Sequence, residues 1–340
     1  MLQESIKKLT EKQNLTQQEA EQAMNEIMGG RATDAQIAAF LVALRMKSET
    51  IDEITACAKI MREKANRINP KAEFLVDTCG TGGDCANTFN ISTAAAFVAV
   101  GAGVSVAKHG NKSVSSKSGS ADVLQALGVN INLNPKDVER CIEETGIGFM
   151  FAPLFHPAMK HVMNARKQLG IRTIFNILGP MTNPAGAKSQ IIGVFSPALI
   201  YDIASAMKNL GSRHVMVVNG DGLDEISLSS KTKVCELKNS KIEAYDINPE
   251  DYGFELRPLN DILGGTPDEN AKIIMEVLSG GKGPKRDIVL MNSAAALLAS
   301  DKASSYKDAL ELAKQSIDSG NALKKLEALR NFSNAILPHD

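Results

Sequence analysis

Two rhythms of apolar residues divide the chain. Up to about residue 70, apolar positions recur at helical spacing, and the segment reads as helical throughout. Three capping boxes mark helix starts: Thr16 with Glu19, Thr33 with Gln36, and Thr50 with Glu53. Gly29 and Gly30 end the second helix. In the third, Ile37, Phe40, Leu41 and Leu44 form a stripe, and Ala38, Ala39, Val42 and Ala43 fill the positions between. A helix apolar nearly all round is buried, either in an ordinary bundle core or against a second subunit. Asn69-Pro70 closes the segment, because the residue before proline is pushed out of the helical region.

From Phe74 the pattern changes to short β-type runs alternating with helices. Phe74–Val76, Val104–Ala107, Ile147–Phe151, Ile191–Phe195 and Val215–Val218 read as strands. Helices are expected over Ala121–Leu127, stopped by Gly128, from Asn134-Pro135 to Gly146, over Pro157–Leu169 and over Pro197–Leu210. Val234–Leu237 and Ile242–Tyr245 flank the turn Lys238-Asn239-Ser240-Lys241 and read as a hairpin. A helix over Glu269–Leu278, a strand over Ile288–Met291 and C-terminal helices complete the chain. The expectation is an α/β protein. A small all-helical domain, 1–70, stands beside a larger domain, 71–340, with a mostly parallel central sheet flanked by helices. Part of 160–190 is a candidate to pack back on the helical domain.

Composition narrows the class of function. The 340 residues carry a net charge of −1, with 44% hydrophobic and 23% charged residues, as in an ordinary globular protein. Scattered Lys and Arg, 4% aromatics and no Trp argue against nucleic acid as the main partner. The five cysteines, Cys57, Cys79, Cys85, Cys141 and Cys235, have no metal-ligand spacing and read as reduced thiols. The first residues have no apolar signal core, and no apolar run is long enough to span a membrane. A cytoplasmic location is the expectation.

Ligands of open α/β sheets gather at the carboxyl ends of strands. After the first strand comes Cys79-Gly80-Thr81-Gly82-Gly83-Asp84, then Asn90, Ser92 and Thr93 at the start of an alanine-rich helix. Glycine loop and helix N-terminus together favour an anion. The loop is neither a Walker loop nor a dinucleotide fingerprint, since the required lysine and third glycine are missing. After the second strand, Lys108 to Ser113 offers cations and small donors on a flexible turn, running into the polar Ser115–Ser120. His156 follows the third strand. Asn219-Gly220-Asp221-Gly222-Leu223-Asp224-Glu225 follows the fifth. Adjacent acids in a site expected to hold phosphate suggest Mg²⁺, with Lys108 balancing the remaining charge.

Each part has a plainer reading. The loop is then a tight turn, Asp224-Glu225 a solvated turn or helix start, His156 a helix cap and the serines a linker. Joint placement at strand ends favours function. No triad order or Cys–His pair stands out, so positioning and charge stabilisation are expected to dominate. Displacement of diphosphate at an anomeric carbon with Mg²⁺ fits, and so does phosphorolysis of a glycosidic bond.

The motifs Asp77–Asp84, Asn90–Thr93, Lys108–Asn111, Ser115–Asp122, Phe151–Pro153 with His156–Met159, Asn176–Pro180 with Asn183-Pro184, and Gly222–Glu225 resemble the anthranilate phosphoribosyltransferases of the tryptophan pathway. Order and spacing hold over nearly the whole chain. The resemblance implies transfer of phosphoribose from 5-phosphoribosyl 1-diphosphate (PRPP) to the amino group of anthranilate, in a homodimer joined through the helical domain. Carried over by motif, Gly80, Gly83, Asp84, Thr88, Asn90, Ile91, Ser92 and Thr93 would contact PRPP. So would Lys108, His109, Gly110, Asn111, Lys112, Ser113, Val114, Ser115, Ser116 and Ser120. Ser92, Asp224 and Glu225 would ligate Mg²⁺. Asn111 and Arg166, with Gly80 close by, would hold anthranilate, and His109, His156, Arg172 and Pro180 would line its route or pocket. Lys112 departs from the family's Arg, keeping the charge without the bidentate fork. The rival readings are a pyrimidine nucleoside phosphorylase of the same fold, which leaves Asp224 and Glu225 without a task, and a non-catalytic nucleic-acid-binding paralogue, which requires a basic groove.

Overall fold

All three capping boxes form: Thr16, Thr33 and Thr50 each accept from the N–H of the third helical residue, whose side chain accepts from the cap N–H in return. They start α2 (Gln17–Met28), α3 (Asp34–Lys47) and α4 (Ile51–Glu63), with α1 (Leu2–Thr10) ahead of them. Glu53 does more than cap. Its buried carboxylate accepts from Leu15 N at 2.8 Å and pairs with Lys47 at 2.9 Å. One side chain therefore ties the α1–α2 connection and the end of α3 to the start of α4. The computed structural model describes residues 1–84, 86–113 and 117–336.

The second part winds a seven-stranded sheet. It runs β1 (Leu75–Asp77), α5 (Ile91–Gly101), β2 (Ser105–Gly110), α6 (Ser120–Ala126), α7 (Pro135–Thr145) and β3 (Ile147–Phe151). The chain then passes through α8 (Ala152–Phe155), α9 (Lys160–Leu169) and α10 (Phe175–Leu178) to β4 (Ser189–Gly193), α11 (Ile200–Asn209) and β5 (His214–Asn219). The hairpin β6 (Thr232–Lys238) and β7 (Lys241–Ile247) follows, then α12 (Pro267–Leu278), α13 (Pro284–Ala299), α14 (Tyr306–Asp318) and α15 (Asn321–Ala335). Strand order is β3-β2-β1-β4-β5-β6-β7. The first five neighbours pair in parallel, and the hairpin adds an antiparallel edge. Asn239 and Ser240 at the hairpin tip have φ of 50° and 62°, the left-handed pair that a tight turn between twisted strands needs.

Both sheet faces are covered, which explains why its central strands read as apolar runs rather than alternations. Along β5, Met216 and Val218 join the core with α5 and α13, while Val215 and Val217 join the core shared by the helical bundle and α11. Segment 160–190 belongs to that second core through Val162, Ala165, Ile174 and Met181. Arg62 Nε donates to Met181 O at 2.7 Å, and Arg45 donates to the Arg172 carbonyl.

Two expectations are corrected. Ile288–Met291 is not a strand but part of α13, buried on every side. A four-residue apolar run does not distinguish a buried strand from a buried helix. Here Pro284 starts the helix and the alanines after Ser293 continue it. Lys108, His109 and Gly110 are not on a flexible turn. They are the last three residues of β2, paired with Phe149, Met150 and Phe151. Polar residues suggested a loop, but the neighbouring strand extends pairing past the apolar run.

Candidate active site

Connections leave β1 and β4 in opposite directions, towards β2 and β5, so the sheet's switch point lies between these neighbouring strands. Ligands of open α/β sheets bind beyond the carboxyl ends of the strands at such a point. The glycine loop fills the β1 side. Thr81 N donates to Gly193 O at 2.8 Å, and Phe195 N donates to Thr81 Oγ1 at 3.2 Å. Gly193 is the tightest point: a Cβ there would lie 1.6 Å from the carbonyl oxygen of Asp224. At Gly80 a Cβ would meet Asp224 Oδ2 at 2.8 Å. Both glycines are required by close approach of the acidic turn.

That turn docks on the loop and on the helix start. Gly82 N donates to Asp224 Oδ2 at 2.7 Å, and Ser92 N donates to Glu225 Oε1 at 3.1 Å. Asp224 and Glu225 lie in irregular chain, so the helix-start reading does not hold. Asn90 caps α5 by position without a side-chain bond to the helix. Lys108, 2% exposed, reaches Thr78 O at 2.9 Å, Thr78 Oγ1 at 3.2 Å and Ser92 Oγ at 3.4 Å. Burial pushes Asp224 up, with nearby Asp84 adding to it; burial and then Asp224 push Glu225 up. The donors are oxygens only: two crowded carboxylates from the β5 turn beside the Ser92 hydroxyl of α5. They fit a hard divalent cation, whose charge relieves the crowding. Among the described residues no group of three or more His, Cys, Asp or Glu forms a protein-only metal centre. A cation here would therefore share its coordination with substrate oxygens and water.

A second group of expected residues lies on β2 and on the segment around α9 and α10. The rings of His109 and His156 lie 5.0 Å apart, centroid to centroid. His109 Nδ1 faces Gly179 O at 3.2 Å, and the Nε2 atoms of both histidines are buried without a partner among the described residues. Burial pushes His109 down to about 3 and His156 down to about 4. His156 makes no cap to the following turn. Arg166 is half-buried on α9, its guanidinium 5.3 Å from the centre of the Phe175 ring, and burial lowers its pKa. No carboxylate pairs with it among the described residues. Arg172 donates to Gly83 O and covers the Phe195 ring at 4.3 Å, linking this group to the glycine loop.

Other expected residues are placed differently. The Ile91 side chain is in the core, and its N–H is bonded to Phe89 O at 2.7 Å. Thr93 Oγ1 is buried without a partner among the described residues. Thr88 bridges to Leu263. Asn111 and Lys112 are exposed, with Lys112 N donating to Asn111 Oδ1 at 2.8 Å. Pro180 is buried, its carbonyl accepting from Gln190 Nε2 at 2.8 Å. Val114, Ser115 and Ser116, like Cys85, lie outside the described residues.

Several supporting residues had no role assigned from sequence. Asp77, wholly buried, accepts from His109 N at 3.2 Å and from Asn183 Nδ2 at 2.7 Å. Burial pushes it up to about 6 against the pull of Lys108. Its sequence signals are a carboxylate closing an apolar run and the first place in the Asp77–Asp84 motif, neither of which assigns it a role. Asn270 Nδ2 donates to Asn90 Oδ1 at 2.9 Å, across 180 positions, and no motif flags it.

A helical bundle beside a switch-point α/β domain, with acids docked on a glycine loop, defines a class of glycosyl transferases. Residues 3–65 match the glycosyl transferase family's helical bundle domain, and residues 72–323 match its a/b domain. Within that class the chain belongs to the anthranilate phosphoribosyltransferases. It is 54% identical to the anthranilate phosphoribosyltransferase of Acetivibrio thermocellus, over 100% of this chain and 99% of that one. The crystal structure of the Thermus thermophilus enzyme superposes with a TM-score of 0.93 at 42% identity, covering 97% and 99% of the two chains. The Saccharomyces cerevisiae enzyme, solved in complex with PRPP and Mg, gives 0.90 at 32% identity over 98% of each chain.

Proposed function

We propose that this chain transfers the phosphoribosyl group of PRPP to the amino group of anthranilate, releasing diphosphate, with Mg²⁺, in tryptophan biosynthesis. The observation that carries the reading is the convergence of glycine loop, α5 start, Lys108 and the Asp224–Glu225 turn at one end of the parallel sheet. PRPP lies against Gly80, Gly83, Asp84, the Asn90–Thr93 helix start and the Lys108–Ser120 segment, where N–H groups and the helix dipole meet its phosphates. Ser92, Asp224 and Glu225 would hold Mg²⁺, which would supply positive charge for the diphosphate. Lys108 adds a fixed cation deep in the cleft.

Anthranilate places its carboxylate on Arg166, a guanidinium with no protein counter-ion among the described residues. Asn111 and Gly80 lie towards it, and His109, His156, Arg172 and Pro180 line the approach. The amine lone pair forms the new C–N bond as the bond from the anomeric carbon to diphosphate breaks, through an oxocarbenium-like ribose. The aromatic amine is neutral at pH 7, so the amine proton departs after attack without a strong base. Two neutral imidazoles leave the pocket's positive charge to its arginines.

Residues 1–70, joined by part of 160–190, form one domain and the rest of 71–340 the other. The shared core of α1–α4 with Val162, Ala165 and Met181 supports that division. The chain acts as a homodimer in the cytoplasm. Support for the dimer is the apolar side of α3 that this protomer leaves uncovered, and for the compartment the four free thiols among the described residues. The test follows loss of anthranilate fluorescence with PRPP and Mg²⁺. Turnover is expected; its absence, together with phosphorolysis of a pyrimidine nucleoside, would replace this reading.

A further inference from the structure

The polar segment after β2 is pinched at its base by one carboxylate oxygen. Asp122 Oδ2 accepts from Ser113 N and from Gly119 N, both at 2.9 Å. The two ends lie almost back to back. A Cβ on Gly119 would sit 2.4 Å from Ser113 N and 2.6 Å from Asn111 O. The pinched base is also docked on α5: Asn90 Nδ2 donates to Ser118 O at 3.1 Å, and Ser118 Oγ donates to Asn90 Oδ1 at 3.2 Å. Asn90 immediately precedes α5, two residues from Ser92. The loop's position is therefore registered against the helix start.

We propose that Asp122 is a positioning residue for the phosphorylated substrate. Without it Ser113 and Gly119 are no longer held together, Ser113 loses its register with α5, and PRPP binds more weakly although no atom of Asp122 touches it. The inference rests on the reading that this loop contacts PRPP. Two backbone N–H groups would otherwise lose this shared acceptor, and bringing Ser113 and Gly119 together would cost entropy that binding would then have to supply. Among the described residues both bonds fall on one acceptor oxygen, Oδ2, and Asp122 is half-buried. An asparagine can keep both bonds and turn its NH₂ to water, whereas alanine keeps neither.

The experiment compares Asp122→Ala and Asp122→Asn. Hydrogen exchange reads the amides of Ser113 and Gly119 directly, without substrate. We expect fast exchange in Asp122→Ala and protection in wild type and Asp122→Asn. In the fluorescence assay, KM for PRPP should rise roughly tenfold in Asp122→Ala, equivalent to about 1.4 kcal/mol. KM for anthranilate should hold, and Asp122→Asn should restore the wild-type value. Unchanged exchange in Asp122→Ala would overturn the pinch. Lost protection with an unchanged KM for PRPP, or an equal loss in both variants, would overturn the positioning role. If wild type shows no turnover, the functional reading fails separately. Calorimetric titration of wild type and both variants with PRPP and Mg²⁺ then decides the proposal by the same ratio.

Discussion

Arg166 is the residue whose surroundings say most about the acceptor. It lies half-buried over Phe175 with burial lowering its pKa, a cost a guanidinium tolerates when a ligand carboxylate is to complete it. Arg166→Ala is expected to raise KM for anthranilate about 10- to 100-fold, the range for losing charge-assisted hydrogen bonds, and to leave KM for PRPP near wild type in steady-state kinetics. His156 offers a stability test. Its folded pKa, about 4, lies below the unfolded value, so its contribution is full above about pH 6.5 and declines as pH falls towards 4. In His156→Gln the loss of stability between pH 7 and pH 5, read from urea midpoints, should shrink by about 2 kcal/mol. Glycines and acids of the site were legible as residues because their chemistry is local. Asp77 and Asn270 were not, since each matters only through a partner that folding brings to it.

At the scale of elements, caps and turns were the most legible features. Thr16, Thr33 and Thr50 act within four residues, as do Asn134 with Pro135 and the Asn239-Ser240 turn. Glu53 shows where a local signal conceals a longer one. It is 0% exposed, and its charge meets Lys47 from α3 and the N–H of Leu15. Glu53→Ala should cost about 3 kcal/mol in a urea titration, well above the roughly 1 kcal/mol of a lost cap alone, because Lys47 would stay buried without its carboxylate. Ile288–Met291 and the end of β2 mark the limits of pattern. An apolar run shows that a segment is buried, while its neighbours decide between helix and strand. The polar Lys108-His109-Gly110 is extended because β3 pairs with it and Thr78 receives the ammonium.

For the whole molecule, the open matter is what covers α3. Ile37, Phe40, Leu41 and Leu44 are buried in this protomer, while Ala35, Ala39 and Met46 are exposed and Ala38 and Val42 half-exposed. These five share one side of the helix. If that side is the subunit contact, Ala39→Glu places a charge in an apolar interface. Sedimentation equilibrium should find a dimer for wild type and a monomer for the variant, and a monomeric wild type would refute the assignment. The sequence by itself determined the class of fold, the helix starts, the glycine loop and the acids, because these follow from periodicity, capping and residue chemistry over short spans. It also singled out Ser92 at the start of α5. Only the tertiary structure decided that Asp224 and Glu225 hydrogen-bond to the glycine loop and to that helix start, that Lys108 is buried against Thr78 and Ser92 and that Asp122 joins Ser113 to Gly119. The reason is strand order: β1 and β4 become neighbours across more than a hundred residues, and the site exists only where they meet.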